Sequence, residues 1–196
     1  MPRKNDGGPL ERLICRQLTD WWTGNSDGDV LFWRTSTSGA RATNRGRQGK
    51  KINKAHCGDI CALGPEGQPL LTLLAFEIKK GYNKFTFMDL LDSGKKSAKQ
   101  TYEKWVEQAM RSHEQSGSYS WMIVVRRNSR SALAIFPQHL MTLLRRCGAF
   151  EESPTPLMIL TCEIGKLPMV LCAIKLNEFF AKVRPEHVRK AVKAKM

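Results

Sequence analysis

An aspartate, a glutamate and a lysine stand in two short apolar stretches of this chain. The first lies in Cys57-Gly58-Asp59-Ile60-Cys61 and the others in Phe76-Glu77-Ile78-Lys79-Lys80. Successive side chains of a strand point to opposite faces, so Glu77 and Lys79 share one face and Phe76 and Ile78 the other. Two carboxylates suit a hard divalent cation such as Mg²⁺, and a lysine beside them can hold or activate a water. That set is sufficient to hydrolyse a phosphodiester. Both acids stand in unfavourable places: aspartate is disfavoured within strands, and a lone buried carboxylate needs a partner or a metal. The plainer explanations are a strand-end aspartate that caps a loop, and a salt bridge from Glu77 to Lys79 or Lys80 on an edge strand.

Strands must hold these residues. Residues 59–63 read as one strand, Gly64-Pro65-Glu66-Gly67 as a turn, and 70–79 as the next, with the two expected to be antiparallel. Upstream, Pro9 suits the first position of a helix whose apolar positions are Leu10, Leu13, Ile14, Leu18 and Trp21, ended by the turn 24–28. A first strand covers 30–33, and the polar stretch 35–54 reads as a mobile loop. Downstream, a helix over about 98–114 carries the stripe Tyr102, Trp105, Val106 and Ala109. Strands at 121–125 and 132–136 flank a turn. A short helix runs from Pro137 to Leu144, strands at 157–162 and 169–174 turn at Gly165-Lys166, and 177–183 is helical. The end from Arg184 is expected to fray, and the five tryptophans to be core. This order predicts a mixed sheet with helices on its faces.

The chain of 196 residues, 41% hydrophobic and 26% charged, is long enough to bury one substantial core. It reads as a single domain over 1–196, with the core at about 9–136, a C-terminal extension over 137–196 that completes the fold, and a basic tail over 184–196. The net charge of +14 predicts attraction to a polyanion. No long amphipathic basic helix favours a membrane surface, so nucleic acid is the expected partner. The N-terminus carries no secretory signal and no apolar run approaches the ~20 residues of a membrane span, which predicts a cytoplasmic protein. The six cysteines would then stay as thiols. His56, Cys57 and Cys61 lack the second ligand pair of a zinc site.

The clearest polyanion footprint is the segment holding Arg34, Arg41, Arg45, Arg47, Lys50, Lys51 and Lys54, with no acid between Asp29 and Asp59. A solvated basic loop is the bland reading. Lys80 faces away from Lys79 and is either a phosphate contact or solvated. Arg126, Arg127 and Arg130 extend the basic surface.

Helix, strand, strand with Asp59, strand with Glu77-x-Lys79, then helix: over residues 10–125 the chain resembles the PD-(D/E)xK nuclease superfamily. Within it, the branch of archaeal-type Holliday-junction resolvases and related phage endonucleases is the most similar. Gly58 stands where the usual proline precedes the first acid. The resemblance implies an α/β fold with a restriction-endonuclease-like mixed central sheet flanked by helices. It implies that Asp59, Glu77 and Glu11, the last matching a glutamate on the branch's first helix, hold one or two Mg²⁺ ions, with the Ile78 carbonyl assisting and Mn²⁺ able to substitute. Lys79 would orient water or stabilise the transition state. A loop serine of the branch would correspond to Ser36 or Ser38, in contact with nucleic acid. Gln108 on the second helix would be auxiliary, a surface glutamine being the alternative. The implied activity is endonucleolytic hydrolysis of DNA, structure-selective as in resolvases, which act as homodimers on two-fold-symmetric junctions. The implied setting is the nucleoid or a phage-infected cell. The alternatives are a restriction, repair or phage DNA-processing nuclease, and a nucleic-acid-binding protein that keeps the fold without catalysis.

Overall fold

Pro9 has no amide hydrogen to leave unpaired, and helix α1 (Gly8–Thr23) starts around it. Leu10, Ile14, Leu18 and Trp22 recur every four residues and form its buried face. Gly24 closes the helix at φ +70°, its amide donating to the Asp20 carbonyl at 2.9 Å. The computed structural model of the protein describes residues 8–26, 30–35, 58–91, 101–151, 157–165 and 167–195. The turn residues 27 and 28, most of the basic segment expected as a loop, the stretch 92–100 and Lys166 lie outside them.

Strands β1 (Phe32–Arg34) and β2 (Ile60–Ala62) pair antiparallel, with Trp33 opposite Cys61. The hairpin expected after β2 does not form. Pro65 and Pro69 each stand in the first turn of a helix, where the missing amide hydrogen costs little and the fixed φ favours helical entry. They give a 3₁₀ turn (Pro65–Gly67) and helix α2 (Gln68–Leu73). Leu70 and Leu73, three residues apart, are both buried, a helical spacing. The next strand therefore starts at Leu74 rather than at residue 70.

That strand, β3 (Leu74–Lys80), runs parallel to β4 (Ser120–Arg126) rather than antiparallel to β2. A parallel pair needs a crossover connection, which here includes the 3₁₀ turn Phe87–Leu90 and helix α3 (Thr101–Ser116). Then follow β5 (Leu133–Pro137), α4 (Gln138–Arg146), β6 (Leu157–Ile164), β7 (Leu167–Lys175), α5 (Leu176–Lys182) and α6 (Pro185–Lys193). The main sheet has the order β3-β4-β5-β7-β6, and every pair after the first is antiparallel. This is the mixed central sheet flanked by helices that the sequence predicts.

Alternation along β3 and β4 divides the core. Phe76, Ile78, Met122 and Val124 face the cluster built with α1, α4 and the C-terminal helices. Ala75, Trp121, Ile123 and Val125 face a second cluster built with Tyr102, Trp105, Val106 and Ala109 of α3. Trp22, Trp105 and Trp121 are buried as expected, but Trp33 is 39% exposed because β1 is covered on one face only.

The C-terminal residues are structural. β7 lies between β5 and β6, and the Trp21 indole donates to the Val183 carbonyl at 2.8 Å. The end expected to fray from Arg184 is instead α6, which buries His187, Val188 and Ala191. Its apolar residues recur at three- and four-residue intervals, enough to outweigh its basic composition. No helix among the described residues is long and apolar enough to cross a membrane. Val188→Ala is expected to lower stability by about 1–3 kcal/mol in denaturant unfolding; a change within error would mean that α6 contributes nothing to the core.

Candidate active site

Asp59 is placed by its backbone before its side chain acts. Gly58 adopts φ +83°, and a Cβ there would approach the Phe76 carbonyl oxygen to 2.8 Å. Only glycine takes both that conformation and that approach without strain. The chain can then press against the open edge of β3, where the Asp59 amide donates to the Phe76 carbonyl at 2.8 Å. On the other side the Thr35 amide donates to the Asp59 carbonyl at 3.0 Å, and the Thr35 hydroxyl to the Gly58 carbonyl at 2.9 Å. Asp59 Oδ2 accepts the Ile78 amide at 2.7 Å. One residue thus meets the edge of β3 with both its backbone and its side chain, although β2 and β3 share no ladder.

Glu77 is fully buried and points toward α3. Ser112 Oγ donates to its Oε1 at 2.6 Å, and Gln108 Nε2 to its Oε2 at 2.6 Å. Lys79 Nζ lies 2.9 Å from the same Oε2 and donates to Gln108 Oε1 at 3.1 Å. The alternation read from the sequence is therefore realised: Glu77 and Lys79 share the α3 face. Gln108, for which a surface position is the alternative, is hydrogen-bonded to both Glu77 and Lys79. Ser112 was not anticipated. Its signal was a polar residue one helical turn after Gln108 and three after Ala109, in line with the buried stripe.

The two acids interact. The Asp59 pKa is raised to about 7, chiefly by burial and next by the nearby Glu77 charge, with Glu11 adding to this and Lys79 and the Ile78 amide opposing it. Cys15, close to the same group, is pushed up to about 12, mainly by burial, and stays a neutral thiol.

Glu11 lies on α1 with its Oε2 3.7 Å from Arg34 Nη1, and its charge is felt at Asp59. Among the described residues, no group of three or more His, Cys, Asp or Glu side chains is gathered closely enough to hold a metal ion together. The donor set is two acids, Asp59 and Glu77. Mg²⁺ is commonly held by one or two carboxylates while keeping waters or substrate phosphate oxygens, so the set fits that ion. Lys80 is exposed on the opposite face of β3. Ser36, Ser38, Arg41, Arg45, Arg47, Lys50, Lys51 and Lys54 lie outside the described residues, as do His56 and Cys57.

The sequence model of a family described as "Phage putative PDDEXK endonuclease" matches residues 2–190. No curated protein and no solved structure matches the chain significantly.

Gly58→Ala is expected to destabilise the protein by about 1–3 kcal/mol in denaturant unfolding, because the edge contact of Asp59 must open. The pH dependence of stability checks the environment of Asp59. Its pKa in the fold exceeds that of an unfolded aspartate, so the stability it contributes is present at low pH and is lost as pH rises through about 7. Asp59→Asn stays neutral throughout. With chelator present, its melting temperature relative to the parent protein is expected to climb between pH 5 and pH 8; a flat difference would contradict the buried, coupled carboxylate.

Proposed function

The chain belongs to the phage PDDEXK endonuclease family, and from that premise we propose that it is a Mg²⁺-dependent endonuclease that hydrolyses DNA phosphodiester bonds, with a preference for branched over plain duplex DNA. The observation that carries the reading is the buried Glu77 carboxylate joined to Lys79, Gln108 and Ser112, with Asp59 close enough to be coupled to it.

In this reading Asp59, Glu77 and the Ile78 carbonyl would hold the ion, with Glu11 as an outer carboxylate beside Arg34. The chemistry that a bound Mg²⁺ or Mn²⁺ would supply there is polarisation of the scissile phosphate and a more acidic water. Ser112 and Gln108 fix the Glu77 rotamer, so its oxygens need not reorganise during reaction. Gln108 also fixes Lys79, whose ammonium faces the charge that grows on the phosphate oxygens. Asp59 must lose a proton before it can serve as a ligand, so cation binding strengthens as pH rises through about 7. Arg34, Lys80 and the basic segment from Ser36 to Lys54 bind the phosphate backbone. The net charge of +14 makes that binding fall steeply with salt. Action on a four-way junction, as by a homodimeric resolvase, is the form of branch selectivity that a likeness to the resolvase branch would imply; flapped DNA is the other.

Linear, nicked, flapped and four-way DNA incubated with Mg²⁺, Mn²⁺ or chelator test the proposal. Asp59→Ala and Glu77→Ala are each expected to reduce cleavage by roughly a thousandfold or more while nucleic-acid binding persists. Equal cutting of all four DNAs would remove the branch preference. No cutting of any substrate with either ion would leave a nucleic-acid-binding protein of nuclease fold.

A further inference from the structure

On the α1 side of the sheet, a cleft runs between that helix and the β4–β5 turn. It consists of two adjoining cavities of about 360 Å³ and 350 Å³ that share Leu10, Leu13 and Arg126. Lys80, Arg126, Arg127 and Arg130 line them, and among the described lining residues Asp20 is the one carboxylate. None of the four cations has an ion-pair partner among the described residues. The remaining wall is mixed: Leu10, Leu13, Ile14 and Phe180 give it apolar surface, and Gln17, Asn128 and Asn177 polar surface. Leu13 is 38% exposed in spite of its size, and Phe180, stacked on Trp21 with ring centroids 5.1 Å apart, lines the larger cavity.

The cleft adjoins the strand that carries Glu77 and Lys79, on its other face. Lys80 follows Lys79 on β3, and Arg126 is its register partner on β4. Leu10 and Leu13 flank the Glu11 turn of α1.

Width decides what enters. Cavities near 350 Å³ are at the small-ligand end of the pocket range of about 300–1,000 Å³. A duplex keeps its bases inside and offers a broad convex surface, so it cannot bury a base here. A single strand offers both of the surfaces that this cleft would receive: phosphates for cations and base faces for apolar side chains. We propose that the cleft takes an unpaired strand of the nucleic-acid substrate, with phosphates on Lys80, Arg126 and Arg130 and bases against Leu13 and Phe180. This deepens, and rests on, the reading of the chain as a nuclease for branched DNA, and among branches it selects flapped or tailed DNA, which carries an unpaired arm, over the fully paired four-way junction.

Fluorescence anisotropy in chelator, so that no strand is cut, compares a blunt duplex with the same duplex bearing an oligo-thymidine tail. The parent protein is expected to bind the tailed form about tenfold tighter. Arg126→Glu with Arg130→Glu is expected to bring the two affinities together, and Leu13→Asp, which leaves the cations in place, to reduce the ratio separately. Thermal unfolding verifies that each variant is folded. A parent protein indifferent to the tail would overturn the proposal. So would a charge reversal that weakens blunt and tailed DNA equally, since the cleft would then be a duplex-backbone contact. Binding is read without divalent cation, so failure here is distinct from failure to cleave.

Discussion

A carboxylate removed from water must be given something in exchange, and the interior of this protein is organised around that demand at Glu77. Its burial is complete, and both oxygens are met by short hydrogen bonds or an ion pair. The donors come from a strand and from the helix that links it to its parallel neighbour. Deleting either helix donor would leave part of the carboxylate unsatisfied, a penalty of about 1–3 kcal/mol or more. α3 is therefore held against β3 by polar bonds as well as by its apolar stripe, and its rotation about its own axis is fixed by Gln108 and Ser112.

The second constraint is the edge of β3. An edge strand exposes unpaired amides and carbonyls, and in this protein the Gly58-Asp59 corner takes two of them: the Phe76 carbonyl and the Ile78 amide. The Ile78 amide goes to a side chain rather than to backbone, which turns what would be a ladder bond into a carboxylate anchor. The acid that reacts with its surroundings most strongly is thus held by the sheet itself. Its position depends on a glycine conformation and on Thr35, neither of which carries charge.

Much of this was legible in the sequence. The period-two pattern of 76–80 placed Glu77 and Lys79 on one face, and the α3 stripe was plain from spacing, because burial imposes both periodicities directly. The sheet partner of the Asp59 strand was misread because Gly64-Pro65-Glu66-Gly67 has turn composition. Only Pro69, together with the three-residue spacing of Leu70 and Leu73, reveals that helical turns intervene. The pairing of β3 with β4, more than forty residues later in the chain, carries no local signal at all. The C-terminal helix was hidden by its basic residues, which decorate one side of an otherwise apolar-faced segment. Ser112 was invisible for another reason: a small polar residue in a helix has many uses, and only the location of Glu77 selects one.

The hydrogen bond from Trp21 to the Val183 carbonyl joins positions 162 apart in the chain. Closing so long a span follows the formation of local helices and turns. The first helix, which brings Glu11 near Asp59, therefore draws one of its anchors from a residue far along the chain. A fragment that stops short of Val183 would lack that tether, so the setting of the two acids depends on residues remote from them in sequence.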